Sequence, residues 1–394
     1  MKKNLSALVM CMADPSGNPR PFRIIKLLNE IGYKVDAVCH KPREEISVKK
    51  YFFLNYMASS SLGILYNRVR SFSLYLLAFF IRFDKFIIWV NDFRLKLSPL
   101  KQTIIQNRYN LIVVEHIELL PLAFYSKGDS KILLDAVEYY TKEFESSLYF
   151  KLFISPFRMV LCKRFLHRCD QIITVSPGLA KAFEDDFGIK PPIVRSVPYF
   201  HDAAVNSTRQ NKIRMVHHGV AHEARNIEKM IDVVKLLDGR FTLDFYLKGN
   251  PKYVNELKSY ARSTPEISFL APVSFTDIIP MLNRYDIGFY YLEPSGINYL
   301  SCLPNKLFEF IQARLAVMIG PSSDMMDIVT KHKIGVVSEE FTCESMALAL
   351  NKLKNTDFDN FKSNSEIAAK ELCFENEGKK LLSLITEMQT SENR

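Results

Sequence analysis

The chain has 394 residues, of which 48% are apolar and 24% charged, with 14 Gly and 18 Pro. That is enough sequence for two or three domains with substantial cores, and it excludes a disordered, collagen-like or linker-rich polymer. Fifty-two Lys and Arg against 43 Asp and Glu give a net charge of +9, which favours an anionic partner such as a nucleotide, a nucleic acid or an acidic lipid.

The start reads as a buried strand, Leu5–Met12. It lacks the small-residue cleavage site of a secretory leader and runs into Asp14-Pro15-Ser16-Gly17. A helix, Pro19–Ile31, and a strand, Lys34–His40, follow. Residues 41–110 then carry twelve Lys and Arg against four Asp and Glu, most of the net charge, among many Phe, Tyr and Leu. Ser71–Val90 comes nearest to membrane-spanning length but is interrupted by Arg82, Asp84 and Lys85, so it reads as a helix on or near a surface. Leu74, Leu77, Ala78 and Ile81 share one face of it, with Arg68, Arg70, Arg82 and Lys85 near its ends. Such a helix either lies in an anionic headgroup layer or packs as core with a solvated rim. Nucleic acid fits this region poorly, because its aromatics follow helical spacing rather than that of a single-strand stacking platform.

Beyond it, strands Leu111–His116 and Lys131–Val137 are predicted, then a long helix over Lys142–Arg168. Strand Gln171–Ser176, helix Pro177–Phe187 and strand Ile193–Val197 complete this series. The polar stretch Pro198–Lys212 breaks the pattern. A second series has strands at Ile213–His218, Thr242–Leu247, Ile267–Leu270, Ile287–Leu292, Ala316–Ile319 and Gly335–Val337, with helices between. The tail from Phe361 reads as amphipathic helix. Alternation of this kind means parallel sheets covered on both faces. The expected fold class is α/β, with two doubly wound, Rossmann-like domains, 1–200 and 201–360, facing across a cleft, and a segment 361–394 that returns toward the first domain.

The chemistry-bearing stretch is Asn298–Val317. A strand ends near Glu293, and Pro304 opens a helix whose free backbone N–H groups and dipole favour a phosphate. Lys306 and Glu309 are three apart and share a face. They suit a phosphate charge and a pair of ribose hydroxyls, or they are a solvated face with one intrahelical ion pair.

The run Leu303-Pro304-Asn305-Lys306-Leu307-Phe308-Glu309-Phe310 resembles the donor-binding segment of family 4 glycosyltransferases, which have the GT-B fold. Gln171–Leu179 is similar to that family's last N-domain strand and turn. Asp135-Ala136-Val137-Glu138 resembles its D-x-H-E stretch, and Val216–Ile227 its first C-domain strand and phosphate loop. The resemblance implies a C-domain that holds a nucleotide sugar, UDP- or GDP-linked, as co-substrate, with no cofactor. It places the ribose on Glu309 and the diphosphate on Arg225, beside Gly219, Ser301, Asn305 and Lys306. Gly249 would let the base approach the backbone. The acceptor, a glycan or lipid-linked glycan, falls to the N-domain and the loop with Gly17 and Asn18. The resemblance implies retention at the anomeric carbon; attachment of the basic helix to a membrane would make the acceptor a lipid-linked glycan, as in surface-polysaccharide assembly.

Three positions depart from the family. Ser301 stands where a second Glu is common, Val220 where a basic residue follows the strand glycine, and Val137 where the family places its histidine. Acid/base work then falls to Asp135, Glu138 or His116; His217 and His218 end another strand and are further candidates. Metal chemistry has little support, because Asp357-Phe358-Asp359 lies in a polar joint and Asp185-Asp186 on a helix face. Seven cysteines without CxxC or zinc spacing read as reduced thiols of a cytoplasmic protein, peripheral to the membrane if the basic helix attaches. A non-catalytic protein of the same fold and a sugar-nucleotide epimerase remain as alternatives.

Overall fold

The computed structural model describes residues 5–54, 61–81, 83–208 and 212–390. Twelve strands form two sheets. The first contains β1 (Ser6–Met10), β2 (Lys34–Cys39), β3 (Lys50–Phe53), β4 (Leu111–Val114), β5 (Lys131–Ala136) and β6 (Gln171–Thr174), in the order β3-β2-β1-β4-β5-β6. The second contains β7 (Ile213–Ala221), β8 (Phe241–Gly249), β9 (Ile267–Leu270), β10 (Ile287–Tyr290), β11 (Ala316–Ile319) and β12 (Gly335–Val337), in the order β12-β11-β10-β7-β8-β9. Every pairing between these strands is parallel. Both orders are the doubly wound arrangement, whose strand order reverses beside β1 and β4 in one sheet and β7 and β10 in the other. Ligands bind beyond the carboxyl ends of the strands at such switch points.

Burial follows the sequence pattern. All four residues of β4, β10 and β11 are buried, as parallel strands covered on both faces require. Gly288 in β10 has a definite reason. A Cβ there would stand 2.2 Å from the Phe310 ring, so only glycine lets helix Asn305–Gln312 lie this close to the sheet.

Three expectations are corrected. β3 is an added strand within a stretch read as helical, and Ile193–Val197 is no strand, making only an isolated bridge from Ile193 to Thr174. The long helix over 142–168 is broken: a 3-10 turn and a π-helical segment, Phe150–Ile154, precede helix Ser155–Phe165. Pro156 lacks an N–H in the first turn of that helix, so a regular α ladder cannot run through it. On helix Ser61–Phe80, Leu74 and Ala78 are buried while Leu77 is exposed, as is Ile81 just beyond it, so the four do not form one surface face. Arg82 and the side chain of Arg68 lie outside the described residues.

The chain divides into two compact units, Met1–Val194 with Lys380–Arg394, and Arg195–Lys379. Residues 195–208 belong to the second because their polar groups are tied there. The Arg195 N–H donates to Glu377 at 2.9 Å, that of His201 to Gln312 at 2.9 Å, and that of Thr208 to Asp359 at 2.7 Å. Helix Asn355–Glu371 is also anchored in the second unit, where the buried Lys362 ammonium meets Asp286 at 3.0 Å. Further on, Gln389 donates to the Tyr33 hydroxyl in the first unit. Among the described residues, no helix is long and apolar enough to cross a membrane.

Candidate functional site

In the second unit, the carboxyl end of β7 brings His217, His218 and Gly219 beside the start of helix Asn305–Gln312. Lys306 is only 8% exposed, and its ammonium has no hydrogen-bond partner among the described residues. It lies 4.4 Å from the centre of the Tyr290 ring, and a Cβ on Gly219 would come within 3.3 Å of its Nζ. Burial, with the nearby Arg225 charge, pulls its pKa down to about 7; Glu309 acts the other way. Lys306 also sits in a helix's first turn, at the positive end of the dipole. An anion at this point would relieve all three penalties. Lys306 and Glu309 are both buried, so the pair is not a solvated face.

Glu309 is buried one turn further along. His218 Nε2 stands 3.2 Å from its carboxylate, a close polar contact without hydrogen-bond alignment. His217 is fully enclosed, and its Nδ1 donates to the Phe289 carbonyl at 3.0 Å. Burial, reinforced by Lys306, drives its pKa far down, so this imidazole is neutral. Arg225 closes a 3-10 turn after β7 and donates to the Val220 carbonyl at 3.1 Å. A buried cation, a half-buried Arg and a helix start thus collect at the switch point of the second sheet.

The other residues singled out in this unit have local tasks. Gly249 has φ +133°, and a Cβ there would come within 2.9 Å of the Ala221 carbonyl. Pairing of β7 with β8 therefore requires this glycine, and approach of a base need not be invoked. Ser301 is buried and closes the short helix Ile297–Leu300, and Asn305 accepts from the Ser196 hydroxyl at 3.0 Å. Asp357 caps helix Asn355–Glu371 through the Lys354 N–H, and Asp359 holds Thr208.

In the first unit the ends of β4 and β5 gather an acidic cluster. Asp135 is fully buried, and Arg20 grips it bidentately, with both N–H···O distances 2.6 Å; the third Arg20 nitrogen donates to the Val194 carbonyl at 2.9 Å. A carboxylate so committed holds helix Pro19–Glu30 against the sheet and is not placed to carry a proton, which corrects its candidacy as an acid/base group. Arg158 likewise binds Glu118 at 2.8 Å, together with Glu143 and the Tyr140 carbonyl. Two arginines thus hold three carboxylates, while Glu115 and Glu138 lack an arginine of their own. Burial first, then Asp135, raises the Glu115 pKa to about 8; for Glu138, burial of the carboxyl and the neighbouring Glu143 also raise it. Glu115 is closed off, with one carboxyl oxygen unpartnered, whereas solvent reaches Glu138.

His116 follows β4 at the switch point. The Met12 N–H donates to its Nδ1 at 3.4 Å, which leaves the proton on Nε2, and burial lowers its pKa. The loop with Gly17 and Asn18 is a local turn. Asp14 accepts from the Ser16 N–H at 2.8 Å and from its hydroxyl at 2.6 Å, and Asn18 caps helix Pro19–Glu30. Arg20, Glu143 and Arg158 escaped the sequence analysis. The only signal for Arg20 was its place beside a switch-point loop.

No known family profile matches the chain, and no curated protein does. Solved structures do match. HepE from Anabaena, in complex with UDP and glucose, superposes with a TM-score of 0.68 at 13% identity, covering 97% of this chain and 100% of that one. Sucrose-phosphate synthase from Thermosynechococcus elongatus gives 0.73 at 11% identity, covering 98% and 100%. WaaG, a glycosyltransferase involved in lipopolysaccharide biosynthesis, gives 0.65 at 12% identity, covering 96% and 99%. The chain has the GT-B fold of these proteins.

Proposed function

We propose that the chain transfers a sugar from a UDP-sugar to a glycan or lipid-linked glycan, with retention and without a metal, in surface-polysaccharide assembly at the cytoplasmic face of a membrane. The observation that carries the donor half is Lys306, a buried ammonium with no hydrogen-bond partner among the described residues, at a helix start and a sheet's switch point. UDP is favoured over GDP because HepE was solved with UDP and with UDP-glucose.

In this reading the diphosphate lies over the first turn of helix Asn305–Gln312. Lys306 and Arg225 meet its charge, and Glu309, with His218 Nε2 at 3.2 Å, accepts the ribose hydroxyls. As the bond between the sugar's anomeric carbon and the phosphate oxygen breaks, negative charge grows on the departing UDP. Two cations and the helix N–H groups stabilise it there. The acceptor hydroxyl forms the new bond and gives up its proton. His116, neutral at pH 7, is the group of the first unit able to take it, and Glu138, whose carboxyl is pushed toward its protonated form by burial and Glu143, is the second candidate for proton transfer. Asp135, locked to Arg20, positions the strand end from which Glu138 projects.

Titration calorimetry with UDP- and GDP-sugars tests the donor site. Wild type binds a UDP-sugar, and Glu309→Ala loses about 1.5–3 kcal/mol, the size of a charged hydrogen bond. Equal binding by the two proteins would overturn the assignment. A transfer assay on Glu138→Gln and His116→Gln then separates the two acceptor-side groups. Wild type that binds the donor but never transfers or epimerises its sugar would favour the non-catalytic alternative, and an epimerised, untransferred sugar would favour the epimerase.

A further inference from the structure

Helix Ser61–Phe80 turns apolar side chains outward. Leu74, Tyr75 and Ala78 are buried, whereas Tyr66, Val69, Leu77 and Phe80 are exposed, Phe80 by 73%. Their spacing places these four on one helical stripe. Helix Asp84–Leu95 repeats the arrangement. Ile87 and Val90 enter the core, while Phe86, Trp89 and Phe93 stack in a ladder with ring centroids 5.5 and 5.3 Å apart, Trp89 being 50% exposed. The Arg70 guanidinium joins the two helices, lying 5.6 Å from the Phe93 ring and donating to the Arg94 carbonyl at 3.0 Å. A third element continues the surface: Tyr149 stacks on Phe72 at 5.8 Å, with Leu148 and Leu152 exposed beside it.

Single exposed apolar residues need no explanation, but a face continuous over three elements does. Lys85, Lys96 and Lys151 are exposed along it, with Asp84 as the exposed acid of helix Asp84–Leu95. An aromatic and aliphatic centre with lysines around it is the composition that seats at the boundary between lipid headgroups and acyl chains. A second copy of the chain suits it less, because self-pairing would bring basic rim against basic rim.

We infer that this face of the first unit docks on an anionic lipid bilayer, with Phe80, Trp89 and Phe93 entering the headgroup–acyl boundary and the lysines meeting lipid phosphates. The face is not the one expected from the sequence, since Leu74 and Ala78 point into the core. The inference names a partner for the proposed transferase and stands or falls separately from donor binding.

Trp89 is the chain's only tryptophan, so its emission reports on this surface alone. The full chain is titrated with phosphatidylcholine vesicles, with and without phosphatidylglycerol, at low and high salt. The expected result is a blue shift and quenching by brominated acyl chains on anionic vesicles, with binding about tenfold or more weaker without the anionic lipid or at high salt. Phe80→Ser with Phe93→Ser lowers partitioning about tenfold or more. Lys85→Glu with Lys96→Glu, changes at exposed positions that leave the core intact, lowers it about fivefold or more per lysine. Emission that anionic vesicles leave unchanged at low salt would overturn the inference. So would a blue shift in lipid-free buffer that grows with protein concentration, which would give the face to a second copy. Nucleotide-sugar binding measured on the same samples keeps the two readings apart: donor binding without a vesicle response removes only the docking face, and the reverse removes only the donor site.

Discussion

Arg20 and Lys306 are both buried cations at the second position of a helix beside a switch-point strand, one in each unit. Arg20 is answered completely, its fork closed on Asp135 and the Val194 carbonyl. Lys306 is answered by nothing that makes a hydrogen bond to it. Burial and the positive helix end disfavour both charges, and only the first is answered by hydrogen bonds within the described fold. A buried charge with its partner present contributes to the fold; one left unpaired weakens the fold and is retained where a ligand supplies the partner. By that criterion Asp135, attractive in the sequence, holds the fold together, and Lys306 is the residue proposed for the donor site.

The largest effect that tests this contrast is Asp135→Ala, which leaves the Arg20 guanidinium buried and unpaired. The loss expected is about 3–5 kcal/mol in urea denaturation, and Arg20→Met combined with Asp135→Leu restores most of it. A loss under about 1 kcal/mol would mean that Arg20 is not held as the structure shows.

Lys306→Met sharpens the other half. Stability stays level or rises, because a strained charge is removed, while UDP-sugar affinity falls by about 1.5–3 kcal/mol. A variant that is clearly less stable and still binds the donor would reverse the roles assigned to the two cations.

The smallest effects are in pH dependence, and the two units slope in opposite directions. Lys306 titrates near 7 in the folded chain and near 10.5 when unfolded. Between these values the unfolded chain holds more protons, so its contribution to stability rises with pH from about 7 to 10.5. Glu115 titrates near 8 when folded against 4.5 unfolded. Here the folded chain holds the extra proton, and stability falls as pH rises from about 4.5 to 8. Urea midpoints from pH 4.5 to 10 should show Lys306→Met flattening the upper window and Glu115→Gln the lower, by about 1–3 kcal/mol each. Profiles parallel to wild type in both variants would remove the charge assignments.

Much of the architecture was legible because parallel strands buried on both faces are near-continuous apolar runs. β9, β11 and β12 stand at the residues expected of them, and β1, β2 and β5 within one or two at either end. The short edge strand β3 escaped, since Lys50–Phe53 carries no run long enough to separate it from helix. Helix Asn305–Gln312 was readable from local spacing, with Pro304 before its first turn and Lys306 and Glu309 on one face. The acidic cluster was not, because its pairs lie far apart in the chain: Arg20 with Asp135, and Arg158 with Glu118.

The sequence by itself determined the order of elements, the doubly wound class and the helix start that carries Lys306 and Glu309, because each is written in local periodicity and capping chemistry. Tertiary structure alone decided which charges are satisfied and which apolar faces remain uncovered. Whether Asp135 meets an arginine, whether Lys306 meets anything, and whether Leu74 or Phe80 faces solvent depend on residues tens to more than a hundred positions away. Burial and partnership belong to the packed chain, and no local pattern carries them.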